Sequence, residues 1–294
     1  MAPEYFNHHA TRTAIEVSVQ LDGDLEWAGT GFFIKASKVL EEGARIDCLL
    51  LVSNKHVLVE GAGNQLISLN RIEEDGTILY GEQESITIDR STHRFTGHAD
   101  SDIDLACLDM RGIETGGYDV PTLPESFLDE LDEKKIGVGS EVLYAGYPNG
   151  MKDKVNGLAL MRKGSIASVP SMDCDGKGLI AIDGTVLSGN SGGPAFVDYA
   201  NRYRLLGVMY AKSTVAEDYG FAIKQKYVRE LVNDALEKSA NELREIANKL
   251  VVESLLAGEF GGEVRRIKDS VWARIASGLD RKRKENTRNA FERD

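Results

Sequence analysis

The sequence of 294 residues predicts a mainly β protein that ends in a helical extension. Three observations carry that reading. Short apolar runs of alternating or β-branched character recur from Thr13 to Ile223, punctuated by Gly, Asn and Asp; this is the texture of a sandwich or barrel. No helix-length amphipathic segment separates these runs, which excludes a βαβ arrangement. From Lys226 to Leu256 there is neither Pro nor Gly, and apolar residues fall at Val228, Leu231, Val232, Ala235, Leu243, Ile246, Ala247, Leu250 and Val251, the three-and-four spacing of a helix face.

Taken in order, residues 13–20 alternate apolar and polar as a half-buried strand does. Residues 25–27 and 31–35 follow, separated by Gly29-Thr30-Gly31, and 49–53 form an apolar strand that runs into Asn54-Lys55-His56-Val57-Leu58. Further strands are predicted at 65–71, 77–80, 85–89, 105–110, 141–146, 158–168, 179–183, 195–198, 204–210 and 219–223. Residues 90–102 are polar and read as a loop, and the acidic stretch 125–135 as a loop or one helical turn. After the helix over 226–256, Gly258 and Gly261-Gly262 interrupt the chain, and a second helix is predicted from about Glu263 to Leu279. No internal repeat and no low-complexity linker is present.

Bulk composition narrows the function classes. Hydrophobic content of 42% and charged content of 28% suit a globular chain with a full core. A net charge of −12 argues against a general nucleic-acid or anionic-membrane binder. There is no apolar run long enough to cross a membrane, and the N-terminal residues lack the basic start and apolar core of a secretory signal. Three widely spaced cysteines, Cys48, Cys107 and Cys174, read as free thiols in a reducing compartment, so a cytoplasmic location is expected. No Cys/His spacing points to a metal, and neither a metal nor a cofactor is expected; His8-His9 reads as an exposed chain end. The basic cluster Arg281–Lys284 reads as a solvated helix end, with a partner or nucleic-acid contact as the alternative.

The chemistry centres on Ser188-Gly189-Asn190-Ser191-Gly192-Gly193-Pro194. A serine among glycines can sit on a tight turn with its hydroxyl exposed, and the N–H groups of Gly189 and Ser191 can converge where an oxyanion would develop. By itself such a string also fits a hairpin turn. A serine nucleophile needs an imidazole as base, and the imidazole needs a carboxylate on its other nitrogen. Among the five histidines, His56 stands at the end of an apolar strand, a rigid place for a reacting group; His93 and His98 fall in the polar loop. Considered alone, His56 could equally be a structural histidine. Asp102 and Asp104 are the candidate carboxylates, and Asp104 is preferred because it opens the buried run Leu105–Leu108.

The order His56, Asp104, Ser191 resembles that of chymotrypsin-fold serine proteases, and the closer resemblance is to their HtrA/DegP-like branch. Gly29-Thr-Gly-Phe-Phe-Ile34, Val52-Ser-Asn-Lys-His-Val57, Asp104-Leu-Ala-Cys-Leu108, Asp183–Pro194 and Tyr219-Gly-Phe-Ala-Ile223 are similar to that branch's motifs and stand in the same sequence. The resemblance covers roughly residues 10–236. It implies two six-stranded antiparallel β-barrels, about 10–115 and 140–225, with the site in the cleft between them. Residues 1–236 would form the protease domain and 237–294 a helical extension in place of the branch's PDZ module. It further implies a serine endopeptidase, intracellular on the cysteine reading above, with His56, Asp104 and Ser191 as the triad and Gly189, Asn190 and Ser191 forming the oxyanion hole, Asn190 holding the turn.

Thr185, Val186, Met209, Tyr210, Lys212 and Gly220 would line the substrate pocket. Thr185 stands where trypsin has an aspartate, which argues for a neutral, small or medium residue before the scissile bond; Lys212 pointing inward would instead favour an acidic one. Asn190 stands where digestive and clotting relatives carry an aspartate, which argues against activation by a new N-terminal Ile. The expected partners are a protein or peptide substrate and a regulator bound through 237–294. The alternative is an interaction protein whose protease fold is latent or partner-activated.

Overall fold

The computed structural model of the protein describes residues 10–21, 24–60, 63–212, 219–257 and 264–276. Strands β1 (Ala14–Leu21), β2 (Asp24–Val39), β3 (Arg45–Ser53), β4 (Asn64–Ile72), β5 (Ile78–Ile88), β6 (Arg94–Gly97), β7 (Ala106–Asp109) and β8 (Thr122–Pro124) make the first unit, with the one-turn helix α1 (Lys55–Leu58) after β3. Strands β9 (Glu141–Gly146), β10 (Leu160–Ile166), β11 (Leu179–Asp183), β12 (Pro194–Asp198), β13 (Tyr203–Lys212) and β14 (Tyr219–Lys224) make the second, and helix α2 (Gln225–Leu256) follows β14 directly.

The second unit closes into a six-stranded barrel in the order β10-β11-β14-β13-β12-β9, as expected. The first does not. It is an eight-stranded sheet in the order β5-β4-β1-β2-β3-β7-β6, with β8 added parallel to β2. This corrects the expectation of two closed six-stranded barrels. Closure requires the two edge strands to exchange hydrogen bonds; here the edges are β5, half of whose residues face solvent, and the four-residue β6. Helix α2 lies by β6, where Arg94 pairs with Glu242 at 2.9 Å.

Most predicted strands are present, two of them fused from pairs. Residues 25–27 and 31–35 belong to the single strand β2, which runs through Gly29 and Gly31. A Cβ at Gly29 would lie 2.7 Å from Val57 and 2.9 Å from the Ser191 carbonyl oxygen, so this glycine permits close approach rather than a turn. Residues 77–80 and 85–89 likewise belong to β5. The four-residue strand β6 lies in a stretch read as loop, and the three-residue β8 is not among the predicted strands.

Helix α2 begins one residue before its predicted start and ends where predicted. Its buried face, including Val228, Leu231, Val232, Leu236 and Ala240, shares one core with Phe32, Leu50 and Leu105 of the first unit and Phe196, Val208 and Ile223 of the barrel. The helix passes residue 237 without a break, and Ser239 and Ala240 beyond it are buried. Further on, Ala247 and Val251 pack against Ile267 and Val271 of the helical residues 264–276. The rest of the second predicted helix, the Arg281–Lys284 cluster and His8-His9 lie outside the described residues.

Candidate active site

The apolar run Leu49–Val52 drives β3 into the core, and the strand ends at Ser53, which with the following Asn54 is fully buried. His56 follows on α1, one turn past the strand end where it was expected. Its ring Nδ1 meets Asp104 Oδ2 at 2.5 Å, and its backbone N–H donates to Asp104 Oδ1 at 3.1 Å. Both carboxylate oxygens therefore face one histidine, and the proton belongs on Nδ1, which leaves Nε2 as an acceptor. Asn54 Nδ2 donates to the Asp104 carbonyl at 2.8 Å and ties the acid's backbone to the histidine turn. Asp102 takes no part in that contact; its N–H donates to Asp100.

Ser191 faces the same cleft, about 590 Å³ in volume, with His56, Asp104, Leu187 and Tyr210 around it. Recesses of about 600 and 630 Å³ lie elsewhere on the surface, so chemistry and not size distinguishes this one. The Ser191 hydroxyl donates to the Tyr210 carbonyl at 2.8 Å, and among the described residues it makes no hydrogen bond to His56. The Tyr210 ring stands edge-on to the His56 ring, 6.4 Å between centroids.

The serine turn is a type II turn over residues 187–190. The Asn190 N–H donates to the Leu187 carbonyl at 3.1 Å, and Gly189 in the third position has φ +89, open to glycine and closed to most other residues. Asn149 N–H donates to the Ser188 carbonyl at 2.7 Å. Since C=O and N–H of one trans peptide point in opposite directions, the Gly189 N–H faces away from Asn149. Along the turn, the N–H groups of Asn190, Gly192 and Gly193 donate to Leu187, Met209 and Asn190. Those of Gly189 and Ser191 have no acceptor among the described residues. These are the two donors singled out from the sequence. Asn190, expected to hold the turn, engages it through its backbone, its N–H donating to Leu187 and its carbonyl accepting from Gly193, while its buried side-chain amide has no partner among the described residues.

The sequence profile of the trypsin-like peptidase domain matches residues 29–208, which include His56, Asp104 and Ser191. The chain belongs to the trypsin-like peptidase family. The peptidase is similar in fold to a serine endoprotease from Yersinia pestis, with a TM-score of 0.52 and 16% identity over 81% of this chain and 68% of that one. Two inactive-form structures of the M. tuberculosis H37Rv protein Rv3671c match with TM-scores of 0.47 and 0.45 and identities of 17% and 19%. They cover 79% of the peptidase and 93% and 96% of the other chains. No curated protein sequence matches it.

The residues expected around the substrate pocket divide in the peptidase. Val186 is buried in the barrel core, a Cβ on Gly220 would lie 2.1 Å from its methyl group, and neither residue lines the Ser191 cleft. Thr185 is half-buried and accepts a hydrogen bond from the Tyr144 hydroxyl through its carbonyl at 3.0 Å. Met209 is fully buried in the barrel core rather than lining the cleft, whereas Tyr210 does line it. Lys212 ends β13, and its side chain lies outside the described part. Among the described residues no cluster of His, Cys, Asp or Glu could hold a metal ion. Thr30, Asn54 and Asn149 bear on the site and were not singled out from the sequence. Their contributions are hydrogen bonds to backbone carbonyls, which no side-chain motif announces.

Proposed function

We propose that this peptidase cleaves internal peptide bonds through Ser191, His56 and Asp104 by way of an acyl-enzyme. The observation that supports this most is the pair of N–H groups, Gly189 and Ser191, that have no acceptor among the described residues, on the turn that carries the serine. In the proposed reaction the Ser191 hydroxyl turns from the Tyr210 carbonyl to His56 Nε2 and attacks the substrate carbonyl as its proton passes to that nitrogen. Asp104 holds the ring and stabilises the imidazolium. The two N–H groups bind the oxyanion, His56 protonates the departing amine, and water then hydrolyses the acyl-enzyme by the same steps. Thr185, standing where trypsin has an aspartate, favours a small or medium neutral side chain before the scissile bond. Three free thiols, two of them buried, favour a reducing compartment.

A fluorophosphonate probe should label the purified protein at Ser191, and Ser191→Ala should lose both labelling and peptide cleavage. Full cleavage by Ser191→Ala would end the proposal, and a library profile dominated by Arg or Lys before the cut would end the pocket reading.

A second reading has one observation in its favour. With its hydroxyl bonded to Tyr210 and not to His56, the serine rests in a non-attacking position, as a latent protease or interaction protein would hold it. On that reading the purified chain stays unlabelled, and a regulator bound at the helical extension starts the labelling.

A further inference from the structure

We propose that Thr30 is a positioning residue for the oxyanion-binding turn, holding the Gly189 carbonyl through its side-chain hydroxyl and the Ser191 carbonyl through its N–H. This rests on the mechanism proposed above. Thr30 lies in β2 of the first unit and is fully buried, while the turn belongs to the second. Strand β3 pairs with β2 from Phe32 onward, so the backbone of Thr30 lies beyond that ladder. Its N–H donates to the Ser191 carbonyl at 2.8 Å, and its carbonyl accepts from Ser53 Oγ at 2.5 Å. Its hydroxyl donates to the Gly189 carbonyl at 2.5 Å and accepts from the Tyr147 N–H at 3.2 Å.

The geometry leaves the turn few other ways to lie. The Ser188 carbonyl is fixed by Asn149, the Gly189 carbonyl by the Thr30 hydroxyl and the Ser191 carbonyl by the Thr30 N–H. Fixing a carbonyl fixes the N–H of the same peptide plane. The Ser188 and Gly189 carbonyls lie on the two peptides that flank the Gly189 α-carbon. The first sets the direction of the Gly189 N–H; the second sets the Gly189 ψ angle, and with it where the following peptides and Ser191 lie relative to that N–H, because glycine offers little torsional resistance of its own. The surrounding glycines show how closely the parts meet. A Cβ at Gly192 would lie 1.9 Å from the Thr30 carbonyl oxygen, and one at Gly146 3.0 Å from the Thr30 hydroxyl. Ser53 extends the connection, since it ends the strand that leads through Asn54 to His56. Thr30 thus joins the histidine side of the site to the turn carrying the nucleophile, and the turn keeps its type II form with Asn190 in place of an aspartate.

The test compares Thr30→Val, which keeps the shape and removes the hydroxyl, with Thr30→Ser, which keeps the hydroxyl. Valine would leave the Gly189 carbonyl and the Tyr147 N–H buried without partners, and rotation of the Gly189–Asn190 peptide would relieve that. Thr30→Val should lower kcat and the fluorophosphonate labelling rate at least about tenfold, the ceiling being the roughly 100- to 1,000-fold lost with one oxyanion donor. KM should stay within about twofold, because the turn acts on the tetrahedral species. Affinity for a peptide boronate should fall with kcat, and Thr30→Ser should restore both. Equal labelling of wild type and Thr30→Val would overturn the inference while leaving the proposed function intact; an unlabelled wild type overturns both. Thr30→Ser as impaired as Thr30→Val would assign the effect to packing and overturn it. Thr30→Ala supplies the comparison if the valine variant does not fold; failure of both to fold would make Thr30 a folding residue and overturn the positioning role.

Discussion

Asn149 holds φ +50 and ψ 35, a left-handed conformation that costs most side chains about 1–2 kcal/mol and that Asn and Gly tolerate best. From that conformation its N–H reaches the Ser188 carbonyl, so local strain and turn geometry are linked. Asn149→Gly should keep the anchor and cleave peptides at close to the wild-type rate. Asn149→Ala should lose about 1 kcal/mol of stability and reduce kcat more than it changes KM. Steady-state kinetics alongside urea unfolding separate the two effects, and equal kinetics for Ala and wild type would detach Asn149 from the turn. The residue that looked decisive in the sequence, Asn190, acts at this scale through its backbone N–H and C=O, not its amide.

At the scale of elements, the junction of β14 and α2 is fastened by a buried charge. Lys224 is 1% exposed and its ammonium meets Asp173 at 2.9 Å, Glu133 at 3.2 Å and the Pro170 carbonyl at 2.7 Å. The hydrogen bond from Lys224 holds the Asp173 carboxyl below its ordinary pKa. Removing both carboxylates strands the ammonium in a dry site, and the double variant Glu133→Gln, Asp173→Asn should lose about 3–5 kcal/mol at neutral pH. Lys224→Met should cost less, since the two carboxylates can return to water. Because the folded-state pKa of Asp173 is lowered, its contribution is present above the ordinary carboxylate range and lost as pH falls through the lowered value. The gap between wild type and the double variant should therefore narrow below roughly pH 4. Urea denaturation across that range checks it, and a gap independent of pH would contradict it.

Over the whole molecule, α2 is shared property of both units. Its first half fills the seam between the open sheet and the closed barrel, and Ser239, near its middle, bonds to Arg111 at 2.8 Å and Asp109 at 3.4 Å. A chain ending after residue 236 would uncover Cys48 and Asp109 and leave that network without Ser239 and Glu242. A chain ending after residue 257 keeps both and loses the smaller cluster around Val251 together with the packing of Trp272 and Ala276 on the main core. The shorter chain should unfold at a distinctly lower temperature than the longer one, by about 2–4 °C for each kcal/mol lost. Equal Tm values for the two would show that the helix beyond 236 contributes nothing to the fold.

Much of this arrangement was legible in the order of residues. Apolar alternation marked most strands, the Gly- and Pro-free stretch marked α2 almost to the residue, and the spacing of His56, Asp104 and Ser191 brought together three groups that share one cleft. Those signals are local, because side-chain polarity repeats with the period of the element and motifs keep their own order. Whether the first sheet closes was not local. It depends on whether β5 and β6 exchange hydrogen bonds, which the side-chain pattern of neither strand encodes. The short strands β6 and β8 carry too few residues to show a period, so only their neighbours define them. The shape of the serine turn was settled in the same way. Asn149 N–H and the Thr30 hydroxyl grip backbone carbonyls of residues some 40 and 159 positions away in the chain, and every residue has a carbonyl. Sequence therefore determined which groups are present, and tertiary structure alone decided which way the Gly189 peptide points.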